Sequence, residues 1–301
     1  MNKIDIKKNY FNFALIGGIL LYLILFVLKD LIFSFANIEY KSFLPIDIIY
    51  QVLIISLSLI YILVNKDKQN SKEILINLLI GFLSICIYFI LSSIEVYALS
   101  FFNITSNSSQ IVKSISLIIC SIIIMLLLII VNKKSLKKDI QDIRKNHKKY
   151  FSKYIKYWFF AVLVMMFSNV IIGIISNGGI ANNEESIRET FKIAPIYIYF
   201  STIIFAPFVE EIVFRRSLKN IIPSKWAFII TSGIIFGGLH VISSITSLTD
   251  VLYIIPYSCC GLAFAYILYE TDNVLVSTGL HFLHNGVMMA LETLLLLLGA
   301  L

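Results

Sequence analysis

Residues 116–131 read SLIICSIIIMLLLIIV, a run without a single charged side chain. The run is continuous rather than alternating. A membrane β-strand would alternate apolar and polar residues over about ten positions, so this stretch reads as a helix. Backbone polar groups in hydrocarbon must find their partners within the segment, which a helix provides. The rest of the chain repeats the theme. Apolar residues make up 58% of the 301 and charged residues only 14%, where soluble domains carry about a quarter charged. Mean hydropathy is +0.88. The composition therefore predicts an all-α, polytopic transmembrane helical bundle. About nine helices are expected, near 11–28, 45–64, 74–95, 111–131, 156–176, 194–218, 226–245, 251–269 and 274–298. The first of these follows Lys3, Lys7 and Lys8, as a signal peptide would. It is long for a cleaved signal and lacks an Ala-x-Ala site, so it reads as a retained helix.

Lysine and arginine orient the bundle, because cytoplasmic connections carry the excess. With the N-terminus inside, the cytoplasmic segments hold 20 Lys/Arg and the opposite side holds 4, Lys29, Lys41, Arg188 and Lys192, with Lys113 at a span's edge. The expectation is N-in and C-out, in the plasma membrane of a bacterium, as the Ile/Asn/Lys-heavy composition suggests. Ten of the 25 basic residues fall between Lys133 and Lys156. Between two spans, such a cluster reads as a cytoplasmic loop against anionic headgroups rather than a nucleic-acid site. It divides the chain into an N-terminal four-helix region (1–132), a basic cytoplasmic loop (133–156) and a C-terminal region (157–301). The four helices of the first region are nearly free of polar groups, with Glu95 near a helix end the exception. The four cysteines lie in apolar stretches without CxxC or Cys/His zinc spacing and read as packing residues.

Chemistry concentrates in the last third. An ionisable side chain at the centre of a membrane helix costs about 2.5–3.5 kcal/mol even on a lenient scale, yet three clusters occur there. In Phe208-Val209-Glu210-Glu211-Ile212-Val213-Phe214-Arg215-Arg216, Glu211 and Arg215 are i,i+4 and share a face, while Glu210 points elsewhere. Pro207, just upstream, should bend the helix or open its backbone ladder. In Phe236-Gly237-Gly238-Leu239-His240, the histidine follows the phenylalanine by one turn and the glycines permit close helix approach. In His281-Phe282-Leu283-His284-Asn285, His281 and Asn285 share a face with His284 beside them. Taken singly, these are a solvated helix end, a packed histidine and polar glue between helices. Taken together, they supply a carboxylate to activate water, a histidine to orient it and a His/Asn pair to hold an oxyanion.

In their order and spacing, Glu210-Glu211-xxx-Arg215, Phe236-xxx-His240 and His281-xxx-Asn285 resemble the CPBP (Abi) family of CAAX-type prenyl proteases and bacteriocin-processing proteins, over about residues 195–298. The resemblance implies an intramembrane endopeptidase. Glu210 would be the water-activating glutamate and His240 its partner. His281 and Asn285 would stabilise the oxyanion, while Glu211 and Arg215 order the site. His284 falls outside the pattern and would pack or support. No cofactor is expected: glutamate and two histidines could hold zinc, but HExxH is absent and a metal-independent reaction is favoured. The substrate would be a peptide or a membrane-associated protein, with leader-peptide or bacteriocin processing or self-immunity as the setting, and nucleic acid would have no part. The alternative is a non-enzymatic membrane scaffold or bacteriocin immunity protein of the same fold. A transporter is disfavoured by the absence of an evident repeat. By helix length, His281 and Glu210 lie at similar depths and His240 deeper, which a cavity open to the cytoplasm would reconcile.

Overall fold

Lys133–Ile175 form one helix of 43 residues, about 65 Å long at 1.5 Å per residue, roughly twice the 30 Å hydrocarbon core. This corrects the expectation of a loop at 133–156. The stretch contains no proline or glycine and is rich in Lys and Arg, good helix formers in their own right. It also carries an inward face. Ile143, Tyr150, Phe151 and Tyr154 recur at helical spacing and pack against Phe264, Ile267, Val276 and Leu280. Tertiary burial therefore continues the membrane helix into its basic half.

The computed structural model describes residues 76–77, 80–85, 87–88, 104, 108–222, 224–242 and 245–298. The spans expected at 11–28 and 45–64, and most of 74–95 with Glu95, lie outside the described residues. The described residues run as α1 (Gln110–Val131), α2 (Lys133–Ile175), α3 (Asn182–Ile193), α4 (Pro195–Ile221), α5 (Lys225–Val241), α6 (Leu248–Thr271) and α7 (Val274–Leu297). Among them, α1, α2, α4, α6 and α7 are long and apolar enough to cross a membrane, and α5 is a shorter apolar helix of 17 residues. Residues 77–301 form one compact unit. The chain is a multi-pass membrane protein.

Helix α4 is irregular where the sequence says it should be. Two of its segments, Ser201–Phe205 and Glu211–Ser217, are π-helical, an arrangement that often marks functional sites. Ala206 N–H donates to Ser201 O, five residues back. Continuing that pattern, residue 207 would donate to Thr202 O, but Pro207 has no N–H. The Asn285 side chain of α7 donates to that carbonyl instead, at 2.8 Å. Proline thus opens the ladder, and α7 fills the opening.

Small residues set the distance between α5 and α6. A Cβ on Gly237 would fall 2.1 Å from Ser258 Oγ and 2.8 Å from Ile254 O, and one on Gly233 would fall 2.6 Å from Leu262 side-chain atoms. The pair forms a GxxxG contact of the kind that lets membrane helices touch backbone to backbone. Of the two expected glycines, only Gly237 serves this approach; Gly238 faces its own helix's Ile242.

At the basic end, a polar clamp ties α2 to α4 and to the α6–α7 turn. Arg216 pairs with Asp139, which is 1% exposed. Asn273 donates to Asp139 O and to Asp142 Oδ2, both at 2.9 Å, and Lys138 and Lys219 both reach Asp272. Removing one partner of a buried ion pair strands the other charge. Asp139→Ala is therefore expected to lower unfolding stability in detergent by about 3–5 kcal/mol. The double variant Asp139→Leu/Arg216→Met should recover most of that loss, and equal losses in the two would show that the stranded charge is not the cause.

Candidate functional site

Arg215 sits at 0% exposure in the middle of the bundle. A guanidinium there needs both a counter-charge and cover. Glu211, also fully buried and one turn back on α4, supplies the charge, with Oε1 3.3 Å from Arg215 Nε. The Phe236 ring of α5 supplies the cover, with its centroid 4.1 Å from the guanidinium carbon. That geometry is a cation–π contact in a desolvated setting, where such contacts are strongest.

The same Glu211 Oε1 reaches His281 Nδ1 of α7 at 3.1 Å. With Arg215 as counter-charge, the carboxylate is the acceptor, so Nδ1 carries the proton and Nε2 keeps its lone pair. Nε2 lies 3.8 Å from Glu210 Oε2. That is too long for a direct hydrogen bond, but one water beside the pair would reach both atoms. The imidazole is also stacked on Phe264 of α6 at 4.6 Å. His281 thus has its tautomer and its plane fixed by neighbours on two other helices.

His240 is held through its own motif. Its Nδ1 donates to Phe236 O at 2.9 Å, leaving Nε2 as the acceptor, and its ring stacks on Tyr257 at 4.7 Å. Phe236 therefore has two tasks, shielding Arg215 with its ring and orienting His240 with its carbonyl. Asn285 Nδ2 donates to Thr202 O. His284 is buried, with Nε2 3.9 Å from Cys260 Sγ.

Glu210, His240, His281, His284 and Asn285 all line one cavity of about 670 Å³. Glu211 and Arg215 lie behind its wall. The site residues expected from sequence thus gather in one place, with a different pairing: the Glu210 carboxylate faces His281, and the close partners of His240 are Phe236 and Tyr257. Among the described residues, no three His, Cys, Asp or Glu side chains cluster as a metal site. Sequence reading missed Thr202, Tyr257, Glu184 and Arg188. Thr202 had a signal, standing five residues before Pro207 in a helix that the proline interrupts; the others had none.

Residues 192–287 match the family Type II CAAX prenyl endopeptidase Rce1-like. All three motifs lie inside this Rce1-like segment. A protein of Mycoplasma capricolum subsp. capricolum, described only as an uncharacterized protein, is 33% identical over 118 residues, covering 35% of this chain and 34% of its own length. The chain thus spans about a third of the length of the curated relative it matches. No solved structure matches.

The Rce1-like segment is reached from one end. The cavity runs from His281 and Phe264 out to Gly179, Glu184, Arg188, Tyr253 and Glu292. Side-chain exposure is 3% at His281 and 13% at Glu210, and it reaches 27% at Arg188 and 39% at Glu184 on α3. No residue of 133–156, of the α4–α5 connection or of the α6–α7 turn lines it. The mouth is therefore at the end away from the basic stretch, not at the basic end, where a cytoplasm-facing cavity was expected.

Short helix α3 lies at this mouth, tethered by Arg188 Nε to Glu292 Oε1 of α7 at 2.6 Å and by Asn183 to Tyr257 Oη at 3.3 Å. Partial burial, and then the neighbouring Glu292 carboxylate, raise Glu184 from 4.5 to about 7 against the pull of Arg188. A carboxyl that holds its proton only when docked favours the docked state while protonated. As pH rises from about 4.5 to 7, the undocked helix releases that proton first, so docking weakens and is weakest above 7. Amide exchange in α3, corrected for intrinsic rate, should be faster at pH 8 than at pH 5. Glu184→Gln should remove the difference; a difference that persists in this variant would show that Glu184 is not its source.

Proposed function

We propose that the chain is an intramembrane endopeptidase that hydrolyses a peptide or a membrane-associated protein with a glutamate-activated water. One observation carries the reading: the Glu210 carboxylate lies on the wall of a cavity open to one end of the bundle, 3.8 Å from an imidazole nitrogen whose lone pair is kept free by Glu211. That pair is suited to binding one water in a fixed orientation. The match of residues 192–287 to an endopeptidase family supports the same chemistry.

In the proposed reaction, Glu210 takes a proton from water as its oxygen bonds to the scissile carbonyl carbon. The carbonyl π-electrons move to oxygen. The oxyanion is met by donors on the wall, for which Asn285 and, with a proton taken up at Nε2, His240 are the candidates. The C–N bond then breaks, and Glu210 returns its proton to the leaving amine. Phe205, Ile198 and Leu295 on the same wall offer apolar contact to the substrate's side chains. Replacing a general base removes about 10²–10⁴-fold of rate. Glu210→Gln, isosteric and uncharged, is expected to leave the chain folded in the membrane. Termini produced by the wild-type chain, found by mass spectrometry of protein ends in expressing cells, should fall to the level of cells lacking it. Unchanged termini in cells carrying the variant at wild-type abundance would remove the hydrolase and leave a membrane scaffold.

The same proposal treats the reaction as independent of metal. Its support is that HExxH is absent from the sequence and that Glu211 is committed to Arg215 and His281. Treating purified chain with 1,10-phenanthroline should leave cleavage of a processed substrate unchanged. Loss of cleavage that zinc restores would overturn this part alone.

A further inference from the structure

The two ends of the bundle differ sharply in charge. One end holds the start of α2, the end of α4, the start of α5 and the α6–α7 turn. It carries the ten Lys/Arg of 133–156 together with Arg216, Lys219 and Lys225. Aromatic side chains mark its border: Tyr157 packs against Tyr266 at 4.9 Å, and Lys225 lies over the rings of Trp226, Tyr266 and Tyr269. Tyr and Trp beside lysines are the usual occupants of a membrane–water interface. The other end holds the α2–α3 connection, α3, the start of α6 and the end of α7. Among the described residues its basic members are Arg188 and Lys192, beside Glu184, Glu185, Glu189, Asp250 and Glu292.

Orientation in a membrane follows the Lys/Arg count of short segments near the span ends, with the richer side in the cytoplasm. The cavity opens at the poorer end. Connectivity fixes this relation, because α2 leaves the basic stretch and crosses the bundle before reaching α3 at the mouth. A basic cytoplasmic face and a cytoplasmic mouth are therefore incompatible in one molecule. We infer that the cavity takes its substrate from the extracytoplasmic side, so that the scissile chain is an exported peptide or the external segment of a membrane protein. The facing of the mouth stands independently of catalysis; the nature of the substrate rests on the endopeptidase reading.

The test uses the full chain in a host without an outer membrane, with native cysteines replaced by alanine and one new cysteine at a time. Ser186→Cys reports the mouth, whose rim it lines, and Lys145→Cys the basic end; both positions are exposed. In intact cells, a membrane-impermeant maleimide should label Ser186→Cys fully and leave Lys145→Cys unlabelled until the cells are permeabilised. The reverse pattern, or protection of both positions until permeabilisation, overturns the inference. For the substrate, Glu210-dependent termini should appear among secreted peptides and protease-shaved surface segments, and their confinement to cytosolic proteins would overturn it. If the labelling holds but no termini depend on Glu210, it is the endopeptidase reading that fails and not the orientation.

Discussion

A guanidinium buried in hydrocarbon governs this structure. Arg215 cannot be left alone at 0% exposure, because stranding a buried charge costs several kcal/mol. Each neighbour that answers it acquires a fixed place. Glu211 is drawn to it along α4, Phe236 lies across its face from α5, and His281 of α7 meets the same carboxylate oxygen. Three helices are thereby registered against one charge. The reactive-looking groups, Glu210 and the free nitrogen of His281, stand on the cavity side of that assembly, and the groups that position them stand behind it.

Backbone irregularity does the remaining positioning. A regular helix would put Glu210 and Glu211 100° apart on an evenly wound surface. Here π-helical segments lie on either side of Ala206–Glu210, and of the two adjacent glutamates Glu211 is turned into the core while Glu210 lines the cavity. The GxxxG contact of α5 with α6 brings Tyr257 onto His240. Packing of small residues and stacking of rings are therefore two aspects of one helix–helix approach.

Sequence revealed the class of fold and the gathering of the site because both depend on local signals. Long uncharged runs reported the helices, and motif spacing reported which side chains share a face. The i,i+4 pairing of Glu211 with Arg215 was legible for that reason. Partnerships between helices were not. That Glu210 faces His281, and that the aromatic partner of His240 across helices is Tyr257, depends on helix rotation, which no spacing encodes. The helicity of 133–156 was hidden by its charge, since a dense basic run reads as a loop until the buried face of Ile143, Tyr150 and Tyr154 is seen in contact. The place of the cavity mouth was equally illegible, because helix lengths give depth and say nothing of which end is plugged.

The bond between Asn285 and Thr202 limits what that asparagine has to offer. A carboxamide has two N–H groups, and here one is already committed to a main-chain carbonyl that proline left without an amide. At most one remains for anything entering the cavity. A negatively charged oxygen in transit would thus need its second donor from another residue of the wall. Proline at 207 thereby reaches across to another helix and rations the polar contacts at the reacting centre, although its own ring touches none of the chemistry.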